Sequence, residues 1–441
     1  MSVPLGVYAD NPIWFSWQGK AVFLAGSHTW ACLQERGVVG ETPDFDYDEY
    51  LAFMVAHGHN FLRLWVWEHA QWMQFVGHDV PIRYEPLPWA RTGPGLARDG
   101  KPKFDLTQFN ERFFRRLRDR VVAAGERGIF VAVMLFQGFS VEQKGTQGVD
   151  PAKGNAWEGH PFHRDNNVNG VDGDDDGDGE GRDVHTLVQP AVTRLQEAYV
   201  AKMIDTLGDL DHIVWEIGNE CHPESVEWHG HMIGFIRQCE RSRPKQHLIG
   251  MTSSPIPNPP LFASDADWIS PMGRQYLEDP PRAEGRKLIV VDTDHILPWA
   301  YEPTWVWRNL CRGNHFILMD GYRDFRMGSP ETPIAAAEPA RRAMGQAVRL
   351  AERMDLGRMV PRPDLASSTY CLAAPGREYL VYLPDGGDVE IDLGGQEGIV
   401  FEGEWYEDTT ETRRELATTG GVVRLATPFA GESLLWLRAR A

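Results

Sequence analysis

At 441 residues, 42% of them hydrophobic and 24% charged, the chain has the composition of a folded globular protein, and its length suits a barrel of about 250 residues or more followed by a module of about 80. Its 63 acidic residues against 44 basic ones leave a net charge of −19, which repels nucleic acid and anionic membrane surfaces and favours a neutral or cationic ligand. The five cysteines, Cys32, Cys221, Cys239, Cys311 and Cys371, are scattered, odd in number and free of CxxC spacing, so neither a disulfide framework nor a structural zinc site is expected. No basic segment followed by an apolar run opens the chain, and no stretch of about 18 apolar residues occurs. The expectation is a soluble, cytoplasmic protein; a leader already removed would leave the same sequence and a secreted origin. Oligomeric state has no signature here.

In chain order, PIWFSWQGKAVFLAGSHTW opens with two aromatic-rich runs split by Gln18-Gly19-Lys20, a hairpin pattern expected to cap the bottom of a barrel. Eight short apolar runs follow with helical stretches between them: VFLAGSH ending near His28, NFLRLWVW from Asn60, IFVAVMLF from Ile129, HIVWEIGNE ending at Glu220, HLIGMTS, ADWISPM, KLIVVDTD and HFILMD. This alternation predicts an α/β fold, a (β/α)8 TIM barrel. The segments DYDEYLAFMVAHG, DLTQFNERFFRRLRDRVVAAGERG, QPAVTRLQEAYVAKMIDTLGDL and SVEWHGHMIGFIRQCERSR carry apolar residues at helical spacing and read as outer helices. A last helix from about Ala335 to Met354 precedes Pro361 and Pro363, after which the texture changes to short alternating strands such as REYLVYLP, DVEIDL, VVRLATP and SLLWLRA. The predicted organisation is a barrel domain over 1–360, with its N-terminal hairpin, and a small antiparallel β-sandwich over 361–441.

Sites in such barrels lie at the C-terminal ends of the strands, so polar residues ending apolar runs carry the functional reading. The fourth run ends in Asn219 and Glu220. A carboxyl there can have the raised pKa that a general acid needs, and Asn219 could hold a sugar hydroxyl; the plainer alternative is that the pair caps the next helix. Arg63 lies inside an otherwise apolar second strand, an expensive placement unless it meets a carboxylate.

The segments GHNFLR and VWEIGNE resemble the superfamily of retaining (β/α)8-barrel glycoside hydrolases whose catalytic carboxylates end strands four and seven. The resemblance implies Glu220 as acid/base, Asn219 beside it, and Arg63 supporting the nucleophile. The C-terminal stretches EYLVYLP, DVEIDL and EWYEDTTE look like the small β domain called collagen-binding in bacterial barrel enzymes, including the apiosidase-like branch; collagen binding does not follow from that label. At strand seven, where the superfamily carries a Glu, this chain reads KLIVVDTDH, offering Asp292 and Asp294. They would share one side if the strand continues. Asp294 is the first choice as nucleophile, Asp292 the second. The shorter side chain leaves retention, at about 5 to 5.5 Å between carboxyls, and inversion, at about 6.5 to 9.5 Å, both open.

Around these carboxylates the strand ends offer His28, Trp30, Trp65, Trp67, Glu68, Gln137, Tyr276, His295, Asp320 and Tyr322 as substrate-binding candidates, the aromatics by stacking on sugar rings, although large aromatics more often fill cores. A separate acidic segment places Asp172, Asp174, Asp176, Glu180 and Asp183 at positions one, three, five, nine and twelve of a calcium-loop register, with Gly177 at six. A competing register starts at Asp174 and brings in Asp178. The alternative is a solvated acidic loop. No cofactor is expected for catalysis, and a structural Ca2+ is the ion the loop suggests.

The leading expectation is a glycosidase acting on a plant or microbial oligo- or polysaccharide. A metallohydrolase barrel lacks support because no HxH ends strand one, and a late Gly-rich phosphate loop is missing. The remaining alternative is a non-catalytic carbohydrate-binding barrel that has lost its nucleophile. The sugar, the linkage and endo or exo action are not written in the sequence.

Overall fold

The computed structural model describes residues 3–38, 45–72, 82–141, 155–297, 300–323, 333–394, 399–407 and 413–440. Eight parallel strands close into a barrel: β1 (Ala25–His28), β2 (Phe61–Leu64), β3 (Phe130–Gln137), β4 (Ile213–Asn219), β5 (Ile249–Thr252), β6 (Trp268–Ser270), β7 (Leu288–Asp292) and β8 (His315–Met319). Each falls on one of the eight apolar runs. The register aligns their C-terminal ends, with Gln137 beside Asn219, Asp292 beside Ile317, and Met319 beside His28, so residues distant in sequence meet at one rim.

The N-terminal hairpin closes the other end. Gln18 and Gly19 both have positive φ, 51° and 78°, as the tight turn joining Phe15–Trp17 to Lys20–Val22 requires. Phe15 packs against Phe61 at 6.4 Å between ring centroids and Trp17 against Phe130 at 5.0 Å. With Ala132, Val214, Trp268, Val290 and Ile317 they form an apolar plug, which leaves the C-terminal rim as the polar end of the barrel.

Helices Tyr47–Ala56, Glu111–Gly125, Pro190–Leu207 and Val226–Glu240 correspond to the four predicted outer helices. The second starts later than its apolar spacing suggests. Asn110 caps it by accepting from Arg112 N, and Pro102–Phe109 is instead a strand antiparallel to Trp89–Leu96. Phe104 and Leu106 are buried two residues apart while their neighbours are partly or fully exposed, a period-two pattern hidden inside what reads as helix.

From Val360 onward the chain forms a six-stranded antiparallel sheet and a two-stranded one, Asp388–Asp392 with Val422–Ala426. One face of the larger sheet joins the barrel core through Leu380, Tyr382, Leu434 and Trp436, and the other packs Val381, Phe401 and Leu435 with Val389 and Ile391 of the smaller sheet. Arg353, just past the last barrel helix, lies 4.4 Å over the Trp436 ring. Among the described residues no helix is long and apolar enough to cross a membrane.

Candidate active site

Arg63 on β2 is 1% exposed and organises the rim. Its Nε donates to Glu216 Oε2 at 2.9 Å, and Nη2 donates to Glu216 Oε1 and to Asn219 Oδ1, both at 2.6 Å. Nη1 donates to Asp292 Oδ2 at 3.0 Å and lies 3.7 Å from Asp294 Oδ2. One guanidinium therefore ties β2 to both β4 and β7, with charge-assisted bonds of the stronger kind. Burial alone would lower its pKa, but the surrounding carboxylates, Glu216 and Asp292 first, outweigh it and raise it.

Strand β7 does not continue to Asp294. Asp292 ends it and becomes the cap of the single-turn helix Thr293–Ile296, its Oδ1 accepting from Asp294 N at 2.9 Å. The turn nevertheless brings Asp294 to the same guanidinium edge. The two aspartates then diverge. Burial opposes ionisation of Asp292, but His28 Nε2, 3.4 Å from Oδ1, and Arg63 outweigh it and hold the carboxyl well below its ordinary range. Asp294 is pushed well above that range by burial and by the charges of Glu220 and Asp292, with Arg63 opposing only in part. Its Oδ2 has no hydrogen-bond partner among the described residues.

Glu220 follows the last residue of β4 with a φ of 46°, a left-handed conformation that costs a non-glycine residue of order 1–3 kcal/mol and is retained where the surroundings fix it. It is partly exposed, whereas Asn219 is fully buried. Neither residue caps the following helix: Val226–Glu240 begins after Ser225. Asn219 Nδ2 donates to Gln137 Oε1 at 3.0 Å, and His295 Nε2 lies 3.2 Å from Asn219 Oδ1 while its Nδ1 lies 2.9 Å from Ser270 Oγ. Burial and the nearby Arg63 lower the His295 pKa to about 3, which keeps the ring neutral.

The other predicted residues divide. His28 stacks on Trp65 at 4.7 Å with an interplanar angle of 16°, and Arg63 sits 5.1 Å over the Trp65 ring. Trp30 stands 6.1 Å from Trp65. Trp67 is fully buried, gives its indole N–H to Trp30 O at 2.9 Å and packs on Tyr84, a core position. Gln137 N donates to Glu68 Oε2 at 2.6 Å. Tyr276, in the turn after β6, is partly exposed and its hydroxyl accepts from Asn258 at 3.2 Å. Asp320 is gripped by Arg341 through two bonds of 2.6 Å, and Tyr322 packs among Tyr50, Phe45 and Phe53; the ion pair and the aromatic packing occupy these two side chains away from the Arg63 cluster.

Residues the sequence reading passed over complete the site. Glu216, inside β4, is the principal partner of Arg63. Behind the rim, His185 Nε2 lies 3.1 Å from Glu68 Oε2, and its Nδ1 lies 3.8 Å from Cys221 Sγ. Burial pushes the Glu68 carboxyl up, but His185 and His160 outweigh it and hold it at about 2. Burial disfavours the charged His185, yet Cys221 and Glu68 lift it to about 10. For the Cys221 thiol the burial effect is likewise overcome by His185, which brings it down to about 7.

In the acidic segment, carboxylate oxygens of Asp174, Asp176 and Asp178 lie within 4.8 Å of one another, a spread that fits ligands on opposite sides of a calcium ion with about 2.3 to 2.6 Å bonds. This is the register that starts at Asp174. Asp172 pairs with Arg164 at 3.2 Å, Arg182 bridges Glu180 at 2.8 Å and Asp178 at 3.1 Å, and Asp183 Oδ2 accepts from the amides of Asp175 and Asp176.

A closed parallel eight-stranded barrel with its polar cluster at the C-terminal rim is the architecture of a TIM-barrel protein. Comparison with solved structures places glycoside hydrolases of this fold among its neighbours. A protein described as a glycoside hydrolase superposes with a TM-score of 0.59 at 12% identity over 99% of this chain and 97% of its own. A glycoside hydrolase family 5 protein from Bacteroides vulgatus ATCC 8482 does so at 0.61 and 13% identity, over 99% and 93%. Residues 68–255 match a domain of unknown function, DUF6298. No curated protein matches the sequence.

Proposed function

We propose that the protein is a retaining glycoside hydrolase, of the apiosidase-like branch, in which Glu220 is the acid/base and Asp294 the nucleophile. The observation that carries this reading is the placement of Glu220, directly after β4, and of Asp294, just past β7, at one rim, with Arg63 Nη1 3.7 Å from Asp294 Oδ2. Burial and the nearby Glu220 carboxylate both raise the Asp294 pKa, as two carboxyls facing one rim do. Two interacting carboxyls hold their protons as a pair, and a pair sharing one proton has one acid and one anion available. Asp292, with both oxygens engaged and 1% exposed, serves to orient. Asp294 has the unengaged oxygen.

In the first step a carboxylate oxygen of Asp294 bonds to the anomeric carbon while the glycosidic C–O bond breaks and Glu220 passes its proton to the departing oxygen. In the second, the Glu220 carboxylate takes a proton from water, whose oxygen displaces Asp294 and restores both groups. Asn219 and His295 line the same rim and suit hydroxyl contacts. The dense carboxylates favour a neutral plant or microbial oligo- or polysaccharide over an acidic one.

The test is hydrolysis of a panel of neutral oligosaccharides and aryl glycosides by wild-type protein and Glu220→Gln. The variant should lose at least about 100-fold in turnover where the leaving group is poor and keep its fold and sugar binding. Near wild-type turnover on such a substrate removes Glu220 from the role.

A further inference from the structure

We propose that Glu216 is a positioning residue that grips the Nε–Nη2 edge of Arg63, aims the Nη1 edge at strand seven, and offsets the guanidinium charge felt by Asp294. The inference rests on the reading of Asp294 as a reacting carboxyl. Its ground is the distribution of the guanidinium's hydrogen bonds. Glu216 takes two of them in a planar fork of 2.9 and 2.6 Å, Asn219 and Asp292 take one each, and Asp294 stands beyond bonding range at 3.7 Å. Without the Glu216 charge, the guanidinium would turn its full charge on the strand-seven carboxylates that its Nη1 edge faces, of which Asp294 Oδ2 has no hydrogen bond.

Glu216 is fully buried and lies inside β4, four residues before Glu220, so it acts through Arg63 and not on substrate. The charged and titratable groups around Asp294 come from each adjoining element: Arg63 on β2, Glu216 and Glu220 from β4, Asp292 ending β7, His295 on the turn that follows, and His28 on β1 behind Asp292. Among them Arg63 favours the charged Asp294, and Glu216 acts against it. Removing the Glu216 charge leaves Arg63 to stabilise the anion, and the titration midpoint of Asp294 must fall.

The experiment is carboxyl 13C NMR titration of uniformly Asp-labelled protein, with the Asp294 signal assigned by its loss in Asp294→Asn. In Glu216→Gln the midpoint should drop by about one pH unit or more; in Glu216→Asp, which keeps the charge on a shorter arm, it should move by less than half as much. This readout needs no substrate, so it stands or falls separately from the glycosidase reading. If activity is found, the acid limb of kcat/KM should move to lower pH in Glu216→Gln while KM changes little. An Asp294 midpoint unchanged in Glu216→Gln, or equal shifts in the Gln and Asp variants, overturns the proposal. Should Glu216→Gln not fold, a Glu216→Asp midpoint displaced by a full unit overturns it as well.

Discussion

Asp294→Asn should make the protein more stable at neutral pH, and the gain should vanish in acid. The carboxyl is raised in the folded state by burial and by Glu220 and Asp292, after the opposing contribution of Arg63 is included. Between the unfolded midpoint of about 3.9 and the folded one, the native state therefore binds more protons than the unfolded chain. Stability falls as pH rises through that window, which is opposite in sign to the ordinary salt-bridged aspartate. Asparagine keeps the shape and removes the titration. Each pKa unit corresponds to about 1.4 kcal/mol. With about 2.1 cal/mol/K of unfolding entropy per residue, a cooperative unit of 441 residues turns one such unit into a rise of about 1.5 °C in Tm. Calorimetry of both proteins from pH 4 to pH 8 reads the difference directly: near zero at pH 4, positive and growing towards pH 8. A variant less stable than wild type at pH 8, or a difference flat with pH, refutes the reading that burial and the neighbouring carboxylates raise the Asp294 pKa.

Arg63→Met should cost about 3–5 kcal/mol, because it leaves Glu216 and Asp292 buried and uncompensated; a loss under about 1 kcal/mol in urea unfolding would mean that the cluster relaxes without it. For the acidic segment we propose a structural calcium ion held by Asp174, Asp176 and Asp178. Chelation should lower Tm and speed proteolysis near Gly177, and added calcium should restore both, whereas no heat of binding at millimolar calcium with an unchanged Tm would leave a solvated loop.

The barrel was legible because its eight strands are short apolar runs of buried residues, most of them ended by a polar residue, and that pattern survives without any knowledge of packing. The Pro102–Phe109 strand was not, since Phe104 and Leu106 sit within reach of the helical spacing that follows them. At the site, the cost of burying Arg63 pointed to a carboxylate partner. The same reasoning applied to Glu216, a lone acid in IVWEIGN, identifies that partner too: two opposite charges in neighbouring apolar strands are tolerable only together. His185 and Cys221 carried no such signal, because they meet through a loop contact across 36 positions with no periodicity.

Asp320 marks where strand-end reasoning stops. Like Asp292 it stands at the end of an apolar run, and on that ground it reads as a substrate-binding candidate. What separates them is the nearest cation. Arg341, on the helix Glu338–Ala351 outside the barrel, takes both oxygens of Asp320 at 2.6 Å, whereas Arg63 lies within the ring of strands and draws Asp292 and Asp294 towards β4. A strand end fixes a residue's height along the barrel axis; whether it faces the centre or an outer helix depends on partners brought near by closure of the barrel. For aspartates this short, with one or two charge-assisted bonds to satisfy, the position of the arginine decides whether the carboxylate braces the wall or stands at the mouth.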